Sequence, residues 1–420
     1  MRVDQALAEV LARCAPLPAE PAALDVLTGR VLAADVDAPC DLPGFDNAAM
    51  DGYALALADR SAHAGEQFEV AGEQAAGDPA RASTTACAIM TGARLPDGLD
   101  TVVPIEDTRP ADPGTGEGPA RIVLTAAVRP GQHVRRAGED LVRGTPALSA
   151  GTRIGPAQLM LLAALGVDAA PVRRRPAVAV LCTGRELVDD PRQPLASGEI
   201  RNSNGPFLRA ALAAAGARVL PGPASVPDDP AAFGTALVAA LADGADLVVS
   251  TGAVSMGRYD FIPEVLAALP ARTVFHRLRM RPGKPLLFAV LPGGALFFGL
   301  PGNPVSSAVG LRFFVLPALQ ALLGVPGERP LQARLSREAR KKSGLTLFQK
   351  ARVFQQPDGA LAVDLLPGQE SFRIAPLARA NAWAVLPEDG ESLAAGTPVA
   401  VYPLAPADAW PDPSPPATRP

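Results

Sequence analysis

The chain of 420 residues is long enough for about three domains at ~100–200 residues each, and its 48% hydrophobic and 20% charged content suits a well-cored globular protein. A formal net charge of −4 argues against bulk attraction to nucleic acid or to a membrane surface, so any anion site must be local. Four scattered cysteines without a Cys-x-x-Cys pair argue against zinc fingers, iron–sulfur clusters and a disulfide framework, and three histidines leave carboxylates as the holders of any metal.

Val3, Leu7, Val10 and Leu11 recur at helical spacing and predict an amphipathic N-terminal helix, too polar for a signal peptide. No uninterrupted 18-residue apolar run occurs, so the expectation is a cytoplasmic protein with no membrane span. Residues 42–140 are rich in Gly, Pro and short β-branched runs and predict a β-rich segment, with a turn at Gly114–Gly118. "PAQLMLLAALG" (156–166) predicts a helix with Pro at its start and Gly past its end. Strands and helices then alternate from 173 to 326. Strands are expected at 177–184, 246–252 and 295–302, and helices at 205–216 and from Val305 onward, which predicts a mostly parallel sheet covered by helices. Beyond 327, a hairpin turns at Asp358-Gly359, "TPVAVYPL" is a last strand, and the Pro-rich 406–420 reads as a disordered tail. The expected domains are 1–41 with 141–172, 42–140, 173–326 and 327–405.

Three strands of the alternating segment run into glycine loops: "LCTGREL", "VSTGAVSMG" and "GLPGNPVSS". Open parallel sheets bind ligands at the carboxyl ends of their strands, where loop amides favour anions. Thr183, Gly184, Ser250, Gly252 and Ser255 are therefore candidates for one shared anion crevice. None of the loops matches Gly-x-Gly-x-x-Gly or a P-loop, which disfavours a plain dinucleotide or Walker site. In "FHRLRMRPGKPLLF", an extended strand would place Arg277, Arg279 and Arg281 on one face and His276, Leu278 and Met280 on the other, with a Pro-Gly turn presenting Lys284. An anion would relieve the repulsion among these cations; a charge-guarded edge strand is the competing reading. His276 alone reads as a packing or edge residue. Glu186, Asp228 and Asp260 each follow a strand or start a helix. Acids beside phosphate loops commonly hold Mg²⁺, but Asp228 and Asp260 read equally well as helix N-caps. In the β-rich segment, Asp46, Asn47 and Asp51, then Thr91 and Gly92, then Arg135, Arg136, Glu139 and Asp140 are polar clusters that composition alone cannot separate from turns.

Together "PGFDNAAMDGYA", "IMTGARLPDGLDTVVP", "RRAGEDL", "STGAVSMGRYDF", "RPGKP" and "GLPGNPVSS" resemble the molybdopterin molybdenumtransferase family, which includes bacterial MoeA and the gephyrin E domain. The blocks span nearly the whole chain. The resemblance implies an elongated, multidomain α/β fold: a central α/β sandwich with a parallel-type sheet and helices on both faces, a β-rich arm and a C-terminal β-barrel-like domain. It implies insertion of molybdenum from molybdate into adenylylated molybdopterin with release of AMP, a Mg²⁺ requirement and a homodimer whose arm faces the neighbour's α/β domain. A molybdopterin adenylyltransferase and molybdoenzymes are the implied partners. By motif, Asp51, Thr91, Arg135 and Asp140 belong to the arm side of that cleft. Glu186, Asp228, Asp260, Arg277, Arg281, Lys284, Pro301 and Pro304 belong to the α/β side. Asp51, Glu186, Asp228 and Asp260 are the implied catalytic acids, the last three as metal ligands. A scaffold protein of the same fold and the related adenylyltransferase are the alternatives. The intact set of acids and cations counts against the first, and the arm and C-terminal domain count against the second.

Three departures stand out. Arg185 stands where the family often has an acid, Ala253 where Gly is usual, and Arg277 and Arg281 where lysines are common. A positive φ at Ala253 would cost on the order of 1 kcal/mol. Arginine keeps the charge but offers a planar fork rather than a point donor.

Overall fold

The computed structural model describes residues 1–111, 121–254 and 261–405. Ser255, Asp260, the turn expected at 114–118 and the tail 406–420 lie outside the described residues. The chain divides into two compact units, one of Pro21–Thr28 and Ala34–Ala170, the other of Met1–Glu20, Gly29–Ala33 and the described residues from Pro171 onward.

The first unit is built on a six-stranded sheet in the order Thr101–Pro104, Gly52–Leu55, Ala86–Ile89, Gln67–Gln74, Arg121–Leu124, Thr108–Pro110. Tyr53 and Leu55 enter one apolar cluster and Ala54 another, as the two-residue period of a strand requires. Gly52 lets two strands close up, because a Cβ there would stand 1.9 Å from the carbonyl oxygen of Val103. Beside this sheet, Val134–Arg135 pairs antiparallel with Asn47–Ala48. The helix Pro156–Ala164 starts at its proline, and Gly166 follows it at φ 70°.

In the second unit a six-stranded sheet runs Arg218–Val219, Ala177–Cys182, Leu247–Thr251, Leu296–Leu300, Leu287–Val290, Arg272–His276. The first four strands are parallel, as expected. The last two add antiparallel pairings, because Leu287–Val290 and Leu296–Leu300 are joined by a turn too short for a crossover. Val178, Val180, Leu247 and Val249 pack on one face against the helices Val3–Leu11 and Asn204–Ala214 and the helical run Pro304–Leu322. Ala177, Ala179, Leu181 and Val248 pack on the other against Pro230–Ala242 and Ile262–Ala268. The near-continuous apolar strands are thus covered on both sides. The run Pro304–Leu322 has a mean hydropathy of 1.5 and the length to cross a bilayer, but 83% of it is buried in this core.

The basic segment is not the single extended strand its spacing predicts. Arg272–His276 ends at His276, Arg277 turns at φ 76°, and Met280–Arg281 begins a second pairing, parallel to Thr346 and Leu347. Leu278 and Met280 are still buried and Arg279 and Arg281 exposed, since the apolar side chains have a core to enter.

The C-terminal strands Leu331–Leu335, Thr346–Gln355, Leu361–Leu365, Ala382–Leu386 and Pro398–Pro403 close into a barrel, because Thr346–Gln355 pairs with both Leu361–Leu365 and Ala382–Leu386. The hairpin turn lies at Asp358-Gly359 as expected, with Gly359 at φ 84°.

Candidate active site

The three glycine loops of the second unit meet at the carboxyl ends of neighbouring strands. The amide of Thr183 donates to the carbonyl of Thr251 (2.9 Å), and that of Gly252 to the carbonyl of Leu300 (3.1 Å), so each loop starts from its neighbour's strand end. Gly252, at φ 92°, has no room for a side chain: a Cβ would stand 2.4 Å from the carbonyl oxygen of Thr183. A Cβ on Gly302 would lie 3.8 Å from the Gly252 Cα, and Asn204 Nδ2 donates to the Gly302 carbonyl at 2.8 Å. Ser307 Oγ donates to the Pro301 carbonyl at 2.5 Å and fixes that loop from behind. Ala253 has φ 51°, so the residue that departs from the family's glycine does sit in the left-handed region.

Two carboxylates belong to this crevice. Glu186 folds back over Gly184, where a Cβ would lie 2.8 Å from both of its oxygens. Asp228 Oδ1 accepts the Thr183 hydroxyl at 3.1 Å. The N-cap of Pro230–Ala242 is Asp229, whose side chain accepts the Ala232 amide, so capping does not account for Asp228. Among the described residues neither Glu186 nor Asp228 has a basic side chain within 4.0 Å. Carboxylate oxygens are the hard donors a divalent cation takes, but among the described residues no group of three or more His, Cys, Asp or Glu gathers here. Ser250 is 0% exposed and lies inside the strand, away from any solute. His276 Nε2 lies 2.7 Å from the carbonyl oxygen of Val254 and holds the end of the Gly252–Val254 turn, a role its isolated position in the sequence did not suggest.

Four residues beyond Gly302, Ser306 lines a cavity of about 940 Å³. Arg281, Lys284, Arg340, Lys341 and Lys342 all line it. Arg340 pairs with Glu338 (3.1 Å), and Lys341 Nζ donates to the Glu388 carbonyl (3.0 Å). Among the described residues no carboxylate lies within ion-pair distance of Arg281, Lys284 or Lys342. Arg279 faces elsewhere and pairs with Glu388 at 2.6 Å, and Arg277 is not part of the lining. The loop 368–372 also lines the cavity. Lys350, 0% exposed, supports it from below by donating to the carbonyls of Gly368 (2.6 Å), Arg373 (3.1 Å) and Glu370 (3.3 Å). Burial pushes the Lys350 ammonium below the usual lysine range, while Glu370 opposes the shift. The Val305 amide donates to the Ser371 carbonyl at 2.9 Å and ties this loop to the helix Pro304–Gly310. Arg340–Lys342 and Lys350 escaped the sequence reading; the run "ARKK" in a chain of only 20% charged residues was the available signal.

In the first unit, Asp51 Oδ1 accepts both the amide (2.6 Å) and the hydroxyl (2.8 Å) of Thr91. These bonds, the amide's first, hold the Asp51 carboxyl below its ordinary range. The Gly92 amide donates to Ala48 and Arg135 pairs with Asn47, so the segments around 47, 91 and 135 form one cluster. Arg136 pairs with Asp46 at 2.7 Å. Arg135 and Asp140 are exposed, and the amide of Asp140 donates to Leu42.

Three family descriptions match in order: MoeA N-terminal region (domain I and II) over residues 1–166, probable molybdopterin binding domain over 179–321, and MoeA C-terminal region (domain IV) over 332–404. A molybdopterin molybdenumtransferase of Synechococcus elongatus is 41% identical over 405 residues, covering 94% of this chain and 97% of that protein. One from Haemophilus influenzae is 33% identical over 412 residues, covering 96% and 98%. The crystal structure of the molybdopterin biosynthesis MoeA protein of Pyrococcus horikoshii OT3 superposes with a TM-score of 0.79 at 26% identity, covering 96% and 99%. The chain therefore belongs to the molybdopterin molybdenumtransferase family, enzymes of molybdenum cofactor biosynthesis.

Proposed function

We propose that the chain inserts molybdenum from molybdate into adenylylated molybdopterin with release of AMP, in a Mg²⁺-dependent reaction. The observation that carries this reading is the short stretch Gly302–Ser306, which joins the acid crevice at Gly252 to the basic cavity. Arg281, Lys284 and Lys342 suit a tetrahedral dianion such as molybdate, because charge-assisted donors to an oxyanion are the strong ones. Glu186 and Asp228 would hold Mg²⁺, with Asp260 as the third expected ligand; the ion would neutralise charge on the phosphoanhydride as AMP departs. Thr183 orients Asp228, and the Gly252 turn leaves backbone rather than side chain facing the crevice. In the first unit, Asp51, Thr91, Arg135 and Asp140 form the surface expected to meet substrate across a homodimer. A cytoplasmic location and exchange with a molybdopterin adenylyltransferase and molybdoenzymes belong to the same proposal.

The test is AMP release from adenylylated molybdopterin by purified protein with molybdate and Mg²⁺. Glu186→Gln and Asp228→Asn are expected to lower the rate at least about 100-fold, in the range found for lost electrostatic stabilisation, with unchanged thermal unfolding. Full turnover by both variants removes the acid crevice from the mechanism. Sedimentation of the parent protein as a monomer at assay concentration overturns the homodimer.

A further inference from the structure

Phe372 is 63% exposed, whereas Phe233, Phe288, Phe297, Phe298 and Phe314 are fully buried. A single exposed aromatic is ordinary on a protein surface. The backbone beneath this one is not. Lys350 binds the carbonyls of Gly368, Glu370 and Arg373, and the Ser371 carbonyl takes the Val305 amide, so the residues on both sides of Phe372 are anchored. The Arg373 guanidinium carbon lies 5.7 Å from the ring centroid, and Glu370 fixes that guanidinium at 3.0 Å. A cation at this distance interacts with the ring quadrupole by about 0.5–1 kcal/mol at an exposed site and favours this position of the phenyl. The backbone that carries the ring is therefore already ordered at the cavity wall, which lowers the entropic cost of using the ring as a contact.

The cavity that Phe372 lines measures about 940 Å³, at the upper end of the ~300–1,000 Å³ found for small-molecule sites and far more than one tetrahedral oxyanion fills. It combines free cations for a phosphate with one presented aromatic face. We infer that Phe372 is a stacking platform for the planar heteroaromatic ring of a phosphorylated ligand whose anionic group shares the cavity cations Arg281, Lys284 and Lys342 with molybdate. This rests on the reading of the cavity as the oxyanion site of the reaction. Adenine and pterin share the required chemistry.

The test measures binding of three probes, AMP, a pterin monophosphate and molybdate, to the full chain and to Phe372→Ala, Phe372→Tyr and Lys284→Ala. Phe372→Ala is expected to weaken at least one ring-bearing probe by about 5- to 150-fold, the range of one aromatic stacking contact, and to leave molybdate unchanged. Phe372→Tyr keeps parental affinity. Loss of AMP alone assigns the ring to adenine, and loss of the pterin alone assigns it to the pterin. A Phe372→Trp variant adds a direct readout, since a stacked ring quenches the new indole and molybdate does not. Parental affinity of Phe372→Ala for both ring-bearing probes overturns this inference while leaving the cavity reading intact. Parental affinity of Lys284→Ala for molybdate overturns the cavity reading, and its parental affinity for both AMP and the pterin monophosphate overturns the anionic half of this inference.

Discussion

Gly252 and Thr183 touch backbone to backbone: a Cβ on Gly252 would stand 2.4 Å from the Thr183 carbonyl oxygen, and Gly252 holds φ 92°. Two neighbouring strands can therefore end in loops that share one crevice only while this position lacks a side chain. Gly252→Ala is expected to lose at least about 2 kcal/mol, the left-handed cost alone being ~1–2 kcal/mol before the collision is added. Denaturant unfolding checks this, and an unchanged midpoint contradicts the packing argument.

The next residue carries the opposite prediction. Ala253 sits at φ 51°, where an L-residue is strained by ~1–2 kcal/mol. Ala253→Gly removes that strain and adds ~0.4–1 kcal/mol of unfolded-state entropy. The net expectation is a gain of roughly 0.5–1 kcal/mol, read as a higher unfolding midpoint. A lower midpoint means that the alanine methyl makes a favourable contact outweighing the strain.

Asp51 links acidity to the Thr91 turn. Its carboxyl is depressed below the ordinary value of 3.8, mainly by the Thr91 amide and then by the Thr91 hydroxyl. A depressed carboxyl contributes stability above its unfolded pKa and loses it as pH falls through the folded one. The contribution is thus expected to be complete above about pH 5 and to fade progressively as pH falls below it. NMR titration should show the Asp51 carboxyl rising toward its ordinary value in Thr91→Ala, but only part of the way, because the amide remains. No rise means the hydroxyl bond is not made in solution.

Lys350 is buried with three backbone carbonyls around its ammonium. Lys350→Met is expected to cost about 1–3 kcal/mol, the penalty for leaving buried acceptors unpaired. Because those carbonyls belong to the cavity loop, molybdate binding should weaken as well. Unchanged stability together with unchanged binding argues that water replaces the ammonium without loss.

Lys284 has no carboxylate within ion-pair distance among the described residues and faces the cavity. Lys284→Ala is expected to weaken molybdate about 10- to 100-fold, the equivalent of one hydrogen bond to a charged group. Binding to the parent protein should weaken with added salt, because the cavity is open to solvent. Isothermal titration at two ionic strengths measures both effects.

Much of this was legible in the residues. Val3–Leu11 forms over the span its spacing predicts, and the strands at 177, 247 and 296 each run into the glycine expected to end them. Local signals succeeded there because propensity, periodicity and core burial agree. The basic segment was read less well. Alternation correctly sorted Leu278 and Met280 from Arg279 and Arg281, but it hid the turn at Arg277, since an arginine at φ 76° has no sequence signature. Asp228 and Asp229 are the clearest case of local ambiguity. Either could cap a helix, and two bonds separate them: Asp229 accepts the Ala232 amide as the cap, while Asp228 accepts the Thr183 hydroxyl.

The amino-acid order alone settled the apolar strands, the glycine loops after them and the hairpin at Asp358-Gly359, because these depend on neighbours within a few residues. Tertiary packing decided which cations share a cavity. Arg279 was diverted to Glu388, while Arg340–Lys342 and the loop around Phe372 were brought beside Arg281 and Lys284 from more than fifty residues away. Charge interactions and cavity walls depend on distance through space, and no local pattern encodes that distance before the barrel and the sheet have closed.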